Sequence, residues 1–211
     1  MFTNRKQAAL LLANALEQYR NKNVIVLGIA RGGIETAYYV ARQLHAELSF
    51  LIVKKLSHLQ HPEFALGAMA EDGTVYYNPD HKTNVSQEML DNIEERQQKE
   101  IERRKQIFRK VQVFPEIKNR TIIIVDDGIA TGATIFAAIR MCKLKGAAKV
   151  VVAAPMCAKS TEVELKKEAN EVIILATPDH FIAVAQFYES FRDLSDQETL
   201  DFLKKWEKRA V

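Results

Sequence analysis

The sequence predicts an α/β chain organised on a twisted, mainly parallel sheet flanked by helices, and two observations carry that prediction. Short apolar runs at residues 24–27, 122–125, 149–154 and 172–175 alternate with longer segments of helical periodicity, the pattern of strand–helix–strand crossovers. The run Ile122, Ile123, Ile124, Val125 is apolar at every position, as in a strand covered on both faces. It ends in two carboxylates, Asp126 and Asp127, followed by a small-residue turn from Gly128 to Thr134. Open α/β sheets place ligands at the carboxyl ends of their strands, so chemistry is expected there.

Bulk properties set limits on the function. The chain has 211 residues, 47% hydrophobic and 27% charged, which suits one globular α/β domain with an elaboration. Thirty basic against 27 acidic residues leave a formal charge of +3, interspersed along the chain, so charge offers no argument for nucleic-acid binding. Cys142 and Cys157 stand in apolar surroundings and suit buried thiols in a reducing compartment better than a disulfide framework. The apolar patch near Leu10 continues as an amphipathic helix through Glu17, Gln18 and Arg20. No signal peptide or membrane span is expected, and a cytoplasmic location is.

In chain order, Thr3 is expected to cap a first helix whose apolar side gathers Ala8, Leu11, Leu12, Ala15, Leu16 and Tyr19. The strand at 24–27 leads through Gly28-Ile29-Ala30-Arg31-Gly32-Gly33 into a helix over 34–44. An arginine among small residues at a strand end offers a charge and open backbone amides to an anion. Residues 46–53 read as one strand, ending in Lys54 and Lys55 on the same rim. Residues 56–80 hold His58, His61, Pro62, Gly67, Gly73 and Pro79 and read as a turn-rich lid or insertion. The H-x-x-H spacing of His58 and His61 is too weak to make a metal site.

Asn84 or Ser86 then caps a long polar helix to about residue 110, with Met89, Ile93, Ile101 and Phe108 as a thin stripe that has the core or a second subunit of a homodimer to pack on. Its mixed charges read as a solvated face with i,i+4 pairs. After the central strand come a helix over 132–144, a strand over 149–154, a helix over 160–169 and a strand over 172–175. Phe181, Phe187, Tyr188 and Phe191 cluster next, and Ser195 caps a last helix reaching Trp206.

Two acids beside a phosphate-sized turn are reconciled by a ligand that joins a phosphate to a neutral diol, such as a phosphorylated ribose. The turn of Ala130, Thr131, Gly132, Ala133 and Thr134 offers hydroxyls and a helix N-terminus to the phosphate. Asp126 and Asp127 can accept hydrogen bonds from the sugar hydroxyls, directly or through a metal's hydration shell. No Gly-Lys-Ser/Thr of a P-loop follows, and no G-x-G-x-x-G is present.

From Ile122 to Thr134 the order of hydrophobic residues, two acids and a T-G-x-T turn closely resembles the phosphoribosyl pyrophosphate (PRPP) motif of type I phosphoribosyltransferases. The loop at Arg31 resembles that family's pyrophosphate loop in its xanthine-type Arg-Gly-Gly form. The block HPEFALGAMAEDG resembles a group of predicted phosphoribosyltransferases of unassigned substrate. The resemblance implies a type I phosphoribosyltransferase fold in a single domain: core about 20–55 and 120–176, lid and helical insertion about 56–118, and a small hood about 176–195 built from chain ends. It implies transfer of the 5-phosphoribosyl group of PRPP to a small-molecule nitrogen acceptor, Mg²⁺ held by Asp126 and Asp127 through water, and release of pyrophosphate. Arg31, Gly32, Gly33 and Lys54, with Lys55 as alternate, would meet the pyrophosphate. Phe181, Phe187 and Tyr188 would offer rings to the acceptor. A non-catalytic PRPP- or nucleotide-sensing regulator is the alternative, since fold and ligand motif are compatible with both.

One departure bears on the acceptor. In the family's enzymes for 6-oxopurines the residue before the Thr-Gly pair is usually an aspartate that meets the purine ring, and here it is Ala130. Alanine offers neither proton nor acceptor, and a lost charge-assisted hydrogen bond costs about 1.5–3 kcal/mol. Hypoxanthine, guanine and xanthine are therefore expected to turn over about one to two orders of magnitude more slowly than the preferred acceptor. Steady-state assays at saturating PRPP measure this, and efficient use of any of the three contradicts it.

Overall fold

The computed structural model describes residues 1–58, 65–79 and 85–208. The first helix, α1 (Arg5–Ala15), begins one residue later than expected. Asn4 is its cap, accepting the Gln7 N–H on Oδ1 at 3.0 Å, while Thr3 donates its own N–H to Gln7 Oε1. Its buried side holds Arg5, Ala8, Ala9, Leu12 and Ala13, whereas Leu11 and Ala15 face outward. Next come β1 (Val24–Ile29), α2 (Gly32–Leu44) and β2 (Glu47–Leu51).

The strand expected over 46–53 is two strands. β2 pairs with β1 as far as Leu51, and from Val53 the chain enters a second sheet as β3 (Val53–Ser57). The apolar run continues across the break because Leu51, Ile52 and Val53 are buried on either side of it, so burial pattern alone does not mark the crossing. The described part of the stretch read as turn-rich is a hairpin, β4 (Ala65–Ala70) and β5 (Val75–Tyr77), which joins β3 in a three-stranded antiparallel sheet. β4 reads Ala-Leu-Gly-Ala-Met-Ala and carries no β-branched residue, so propensity does not announce it.

Helix α3 (Gln87–Phe108) is capped by Ser86, whose hydroxyl accepts the Met89 N–H; Asn84 and His61 lie outside the described residues. Its stripe packs on this chain's own core, with Phe108 edge-on to Phe50 at 6.0 Å. Then follow β6 (Thr121–Val125), α4 (Ala133–Leu144), β7 (Lys149–Met156), α5 (Lys159–Glu168), β8 (Glu171–Ala176) and α6 (Asp196–Glu207). Ser195 and Glu198 close a capping box at the start of α6.

The main sheet has the order β2-β1-β6-β7-β8, and every pairing in it is parallel. From β1 the chain winds outward to β2, and from β6 it winds the other way to β7. The carboxyl ends of β1 and β6 therefore flank the topological switch point, where a crevice must open. Among the described residues no helix is long and apolar enough to cross a membrane.

The inserted region holds a buried ion pair whose arginine also reaches the main sheet at Phe50. Arg109, just after α3, pairs with Glu71 at the β4–β5 turn, donates to the Phe50 carbonyl at 2.9 Å and lies 3.9 Å over the Phe50 ring. Burial pushes the Glu71 carboxyl up, and the Arg109 guanidinium opposes that. Arg109→Met leaves the carboxylate unpaired and is expected to lower the unfolding free energy by about 3–5 kcal/mol. Urea denaturation measures it.

Candidate active site

A two-lobed cleft lies over the ends of β1 and β6, its lobes of 190 and 590 Å³ sharing Ala30, Arg31, Lys55, Thr134 and Val184. The smaller lobe is shaped by the turn after β6. Asp126 is at its base, and Gly128, Ala130, Thr131, Gly132 and Thr134 line its wall. Ala133 is buried behind them. Gly132 has φ +73, a left-handed conformation that side chains with a Cβ rarely adopt, and it starts α4 with no side-chain cap. The first N–H groups of α4 are thus left to a ligand or water. Thr161 braces the turn, donating its hydroxyl to the Ala130 carbonyl at 2.6 Å.

The wider lobe is cationic. Arg31 and Gly32 reach it from the β1–α2 loop, where the Ala30–Arg31 peptide is cis, and Lys54 and Lys55 from β3. Gly33 packs under the loop against Val125. Arg104 and Gln97 come from α3, whose charges read in the sequence as a solvated face. Arg104 is 7% exposed and donates to Glu100 at 2.9 Å; Glu100 also binds Arg103 and lies 4.0 Å from Lys54. Arg103 and Arg104 hold the Glu100 carboxyl down to about 2. Asp196 at the start of α6 pairs with Arg31 at 3.4 Å and Arg103 at 3.2 Å. Burial and then the charge of Arg104 lower the Lys54 pKa.

The two aspartates differ in surroundings. Burial and the adjacent Asp127 raise Asp126 well above the usual carboxylate range, against the pull of Lys55; its Oδ1 accepts the Asp127 N–H at 2.9 Å. Burial raises Asp127 too, opposed by Arg5, whose Nε donates to Oδ2 at 2.7 Å.

In the segment read as a hood, Phe2 and Tyr188 form a parallel bridge, with Phe2 N–H donating to the Phe187 carbonyl. The rings expected to face the acceptor do not line the cleft. Tyr188 is buried with its hydroxyl donating to the Asp127 carbonyl at 2.6 Å, Phe187 packs on Phe181 at 4.9 Å, and Phe181 lines an adjoining groove beside α5 that shares Ala130 and Thr131 with the smaller lobe. Val184 lines both lobes and Phe191 the wider one. Small aromatic clusters satisfy themselves first, which is why ring content alone misplaced the wall. Arg5 and Arg104 were missed although a signal existed. Arg104 falls on the stripe of Ile101 and Phe108, Arg5 on that of Ala8 and Leu12, and a cation on an apolar helix face must meet a buried anion or a ligand. Among the described residues no group of three or more His, Cys, Asp or Glu could hold a metal ion by itself.

Comparison with known proteins names the family. The family model for the phosphoribosyl transferase domain matches residues 4–192. The chain belongs to the phosphoribosyltransferase family. Its mainly parallel sheet flanked by helices is the type I fold. Two Mycobacterium tuberculosis proteins, from strains CDC 1551 / Oshkosh and H37Rv, each named "Putative phosphoribosyl transferase", are 40% identical over 207 residues. That match covers 97% of this chain and 47% of theirs, so the chain spans about half the length of these curated relatives. The crystal structure of TT1426 from Thermus thermophilus is 36% identical, with TM-score 0.83 over 97% of this chain and 98% of that one. A shorter match, 59% identical over 39 residues, covers 18% of this chain and 20% of a Methanosphaera stadtmanae protein named as a transcriptional regulator.

Lys54 is expected to make any anion binding in the cleft depend on pH. Its lowered pKa means that the ammonium is lost at a lower pH than a free lysine, so anion affinity is complete below that pKa and falls as pH rises through it. Sulfate, whose charge is constant in this range, is the probe. Its calorimetric affinity is expected to fall before the ordinary lysine range is reached, and Lys54→Met to remove that limb.

Proposed function

We propose that the chain transfers the 5-phosphoribosyl group of PRPP to a nitrogen acceptor, with Mg²⁺ and release of pyrophosphate. The observation that carries this reading is the convergence of Arg31, Lys54, Lys55 and Arg104 on one lobe, beside Asp126 and the uncapped start of α4. That is an arrangement for a ligand with two anionic ends and a polar middle. The 5-phosphate occupies the turn of Ala130 to Thr134, the ribose hydroxyls lie at Asp126, and the pyrophosphate lies among the four cations.

In the transfer, the bond from the anomeric carbon to pyrophosphate oxygen breaks with its electrons going to pyrophosphate, a bond to the acceptor nitrogen forms, and the proton that nitrogen carried passes to the departing pyrophosphate or to water. The ribose becomes cationic on the way, so the protein's task is to stabilise leaving charge and hold the sugar still. Before substrate arrives, Glu100 and Asp196 keep the cations gathered; the pyrophosphate then competes for them. The 5-phosphate is a remote handle whose binding energy orients the reacting carbon. Val184 and Phe191 cover the cleft with apolar surface that limits water.

The donors suit Mg²⁺, which takes one or two carboxylates and fills its other positions with water and substrate oxygens. Asp126 would hold it, with Asp127 through water, and its charge would neutralise the leaving pyrophosphate. The partners are PRPP and a small nitrogen heterocycle. The short match to a transcriptional regulator favours a second reading, a PRPP-sensing regulator without transfer. Incubating the protein with PRPP, Mg²⁺ and a panel of bases separates the two: pyrophosphate release with any base supports transfer, and PRPP binding with no release supports the regulator.

Arg104 is the sharpest test of the binding mode, because a charge-assisted hydrogen bond is worth about 1.5–3 kcal/mol. Arg104→Gln is expected to weaken pyrophosphate inhibition about tenfold or more while changing ribose 5-phosphate affinity by less than about twofold. Equal losses for the two ligands would contradict the placement of pyrophosphate.

A further inference from the structure

The two edges of the main sheet are finished differently. At one, the inserted region caps the carbonyls of β2: Gln112 Nε2 donates to Leu48 O and Arg109 Nη2 to Phe50 O, each at 2.9 Å, and Leu48 to Leu51 are buried. The other edge is β8, Glu-Val-Ile-Ile-Leu-Ala. Among the described residues its backbone bonds only to β7 and to Cys157 just after it, and Val172 to Leu175 are all partly exposed. It carries no proline or lysine, the residues that commonly guard an edge against further pairing. Its one charge, Glu171, is held at the start of the strand by Lys149 and the Tyr19 hydroxyl.

The helices on the two faces of β8 continue this surface. Leu11, Ala15 and Gln18 recur at helical spacing, and Gln18 Nε2 donates to Glu171 Oε1 at 2.7 Å, so that flank of α1 overlooks β8. Leu11 is 46% exposed there. An apolar flank of an amphipathic helix is thus left uncovered beside an open strand. On the other face, α5 turns Ser160, Glu164 and Glu168 toward the groove it shares with Phe136 of α4. Glu162 and Lys166 therefore lie on its opposite flank, toward the sheet's edge, paired at 2.7 Å.

We propose that a second copy of this chain binds at the β8 edge, the two β8 strands pairing antiparallel so that the two sheets become one. A strand edge is satisfied by another strand, and a two-fold contact needs a surface complementary to itself. This edge meets that need. About a dyad at Ile173, Val172 faces Ile174 and Glu171 faces Leu175, so no charge meets its like along the strand. On α5 one acid and one base stand four residues apart on one flank, so a dyad between them brings each Glu162 to the partner's Lys166.

Sedimentation velocity of the full chain over a dilution series, read with hydrogen exchange at the β8 amides, tests this. The wild type is expected to sediment as a dimer at micromolar concentration, with exchange at Val172 to Leu175 quickening on dilution as the copies part. Leu11→Lys puts a charge into the contact twice, and Lys166→Glu sets Glu162 against a like charge twice. Each is expected to raise the dissociation constant about tenfold or more while leaving the circular dichroism of the folded chain unchanged. Adding Glu162→Lys to Lys166→Glu restores a complementary pair and is expected to recover the wild-type dimer. A chain that stays monomeric throughout the series overturns the proposal. So does a dimer that neither variant weakens, or one whose β8 amides exchange at the same rate on dilution, since another face then joins the copies. A monomer with protected outer β8 amides overturns it too, because the chain itself would then cover the edge.

Discussion

Two carboxylates stand side by side at the end of a strand that is buried along its length, and the surrounding structure is arranged to make that tolerable. An unpaired buried carboxylate costs several kcal/mol, so each needs its own remedy. Asp127 is paired with Arg5. Asp126 has the N–H of its neighbour and the charge of Lys55, and its pKa stays high. The first remedy requires α1 to lie where its first turn reaches β6, and the bridge from Phe2 to Tyr188 then seats the hood on the same spot. The N-terminal segment is part of the site's construction.

The opposite problem is solved across the cleft. Arg31, Lys54, Lys55 and Arg104 come from a loop, a strand of the second sheet and an inserted helix; burial first, and then the like charge of Arg104, lower the Lys54 pKa. Glu100 and Asp196 hold the cluster without neutralising it. An anion entering the lobe would relieve the repulsion, and its affinity would draw on charges the fold has already gathered. The inserted region can supply Arg104 because Phe108 and Arg109 lock α3 to Phe50 and Glu71. Its attachment to the core is what makes the cationic lobe a fixed shape.

By itself the sequence determined what is encoded over a few residues. The apolar runs of β1, β6, β7 and β8, the acid pair, the glycine-bearing turn and the Arg31 loop are local patterns, and parallel pairing by right-handed crossovers then brings two strand ends to one crevice. Asn4 rather than Thr3 as cap is a local matter too, decided by which side chain reaches the Gln7 N–H. Tertiary structure alone decided the rest. Whether residues 46–53 form one strand or two depends on which sheet each half pairs with, and both environments bury the same side chains. The hairpin of β4 and β5 exists through its partners, not through its small residues. Arg5 meets Asp127 across 122 residues, and Tyr188 meets it across 61. Such contacts are set by where whole elements pack, and a side chain's propensity carries no information about a partner that distant in the chain. The turns and strand ends that form the cleft were therefore legible in advance, whereas the side chains that support and cover them were not.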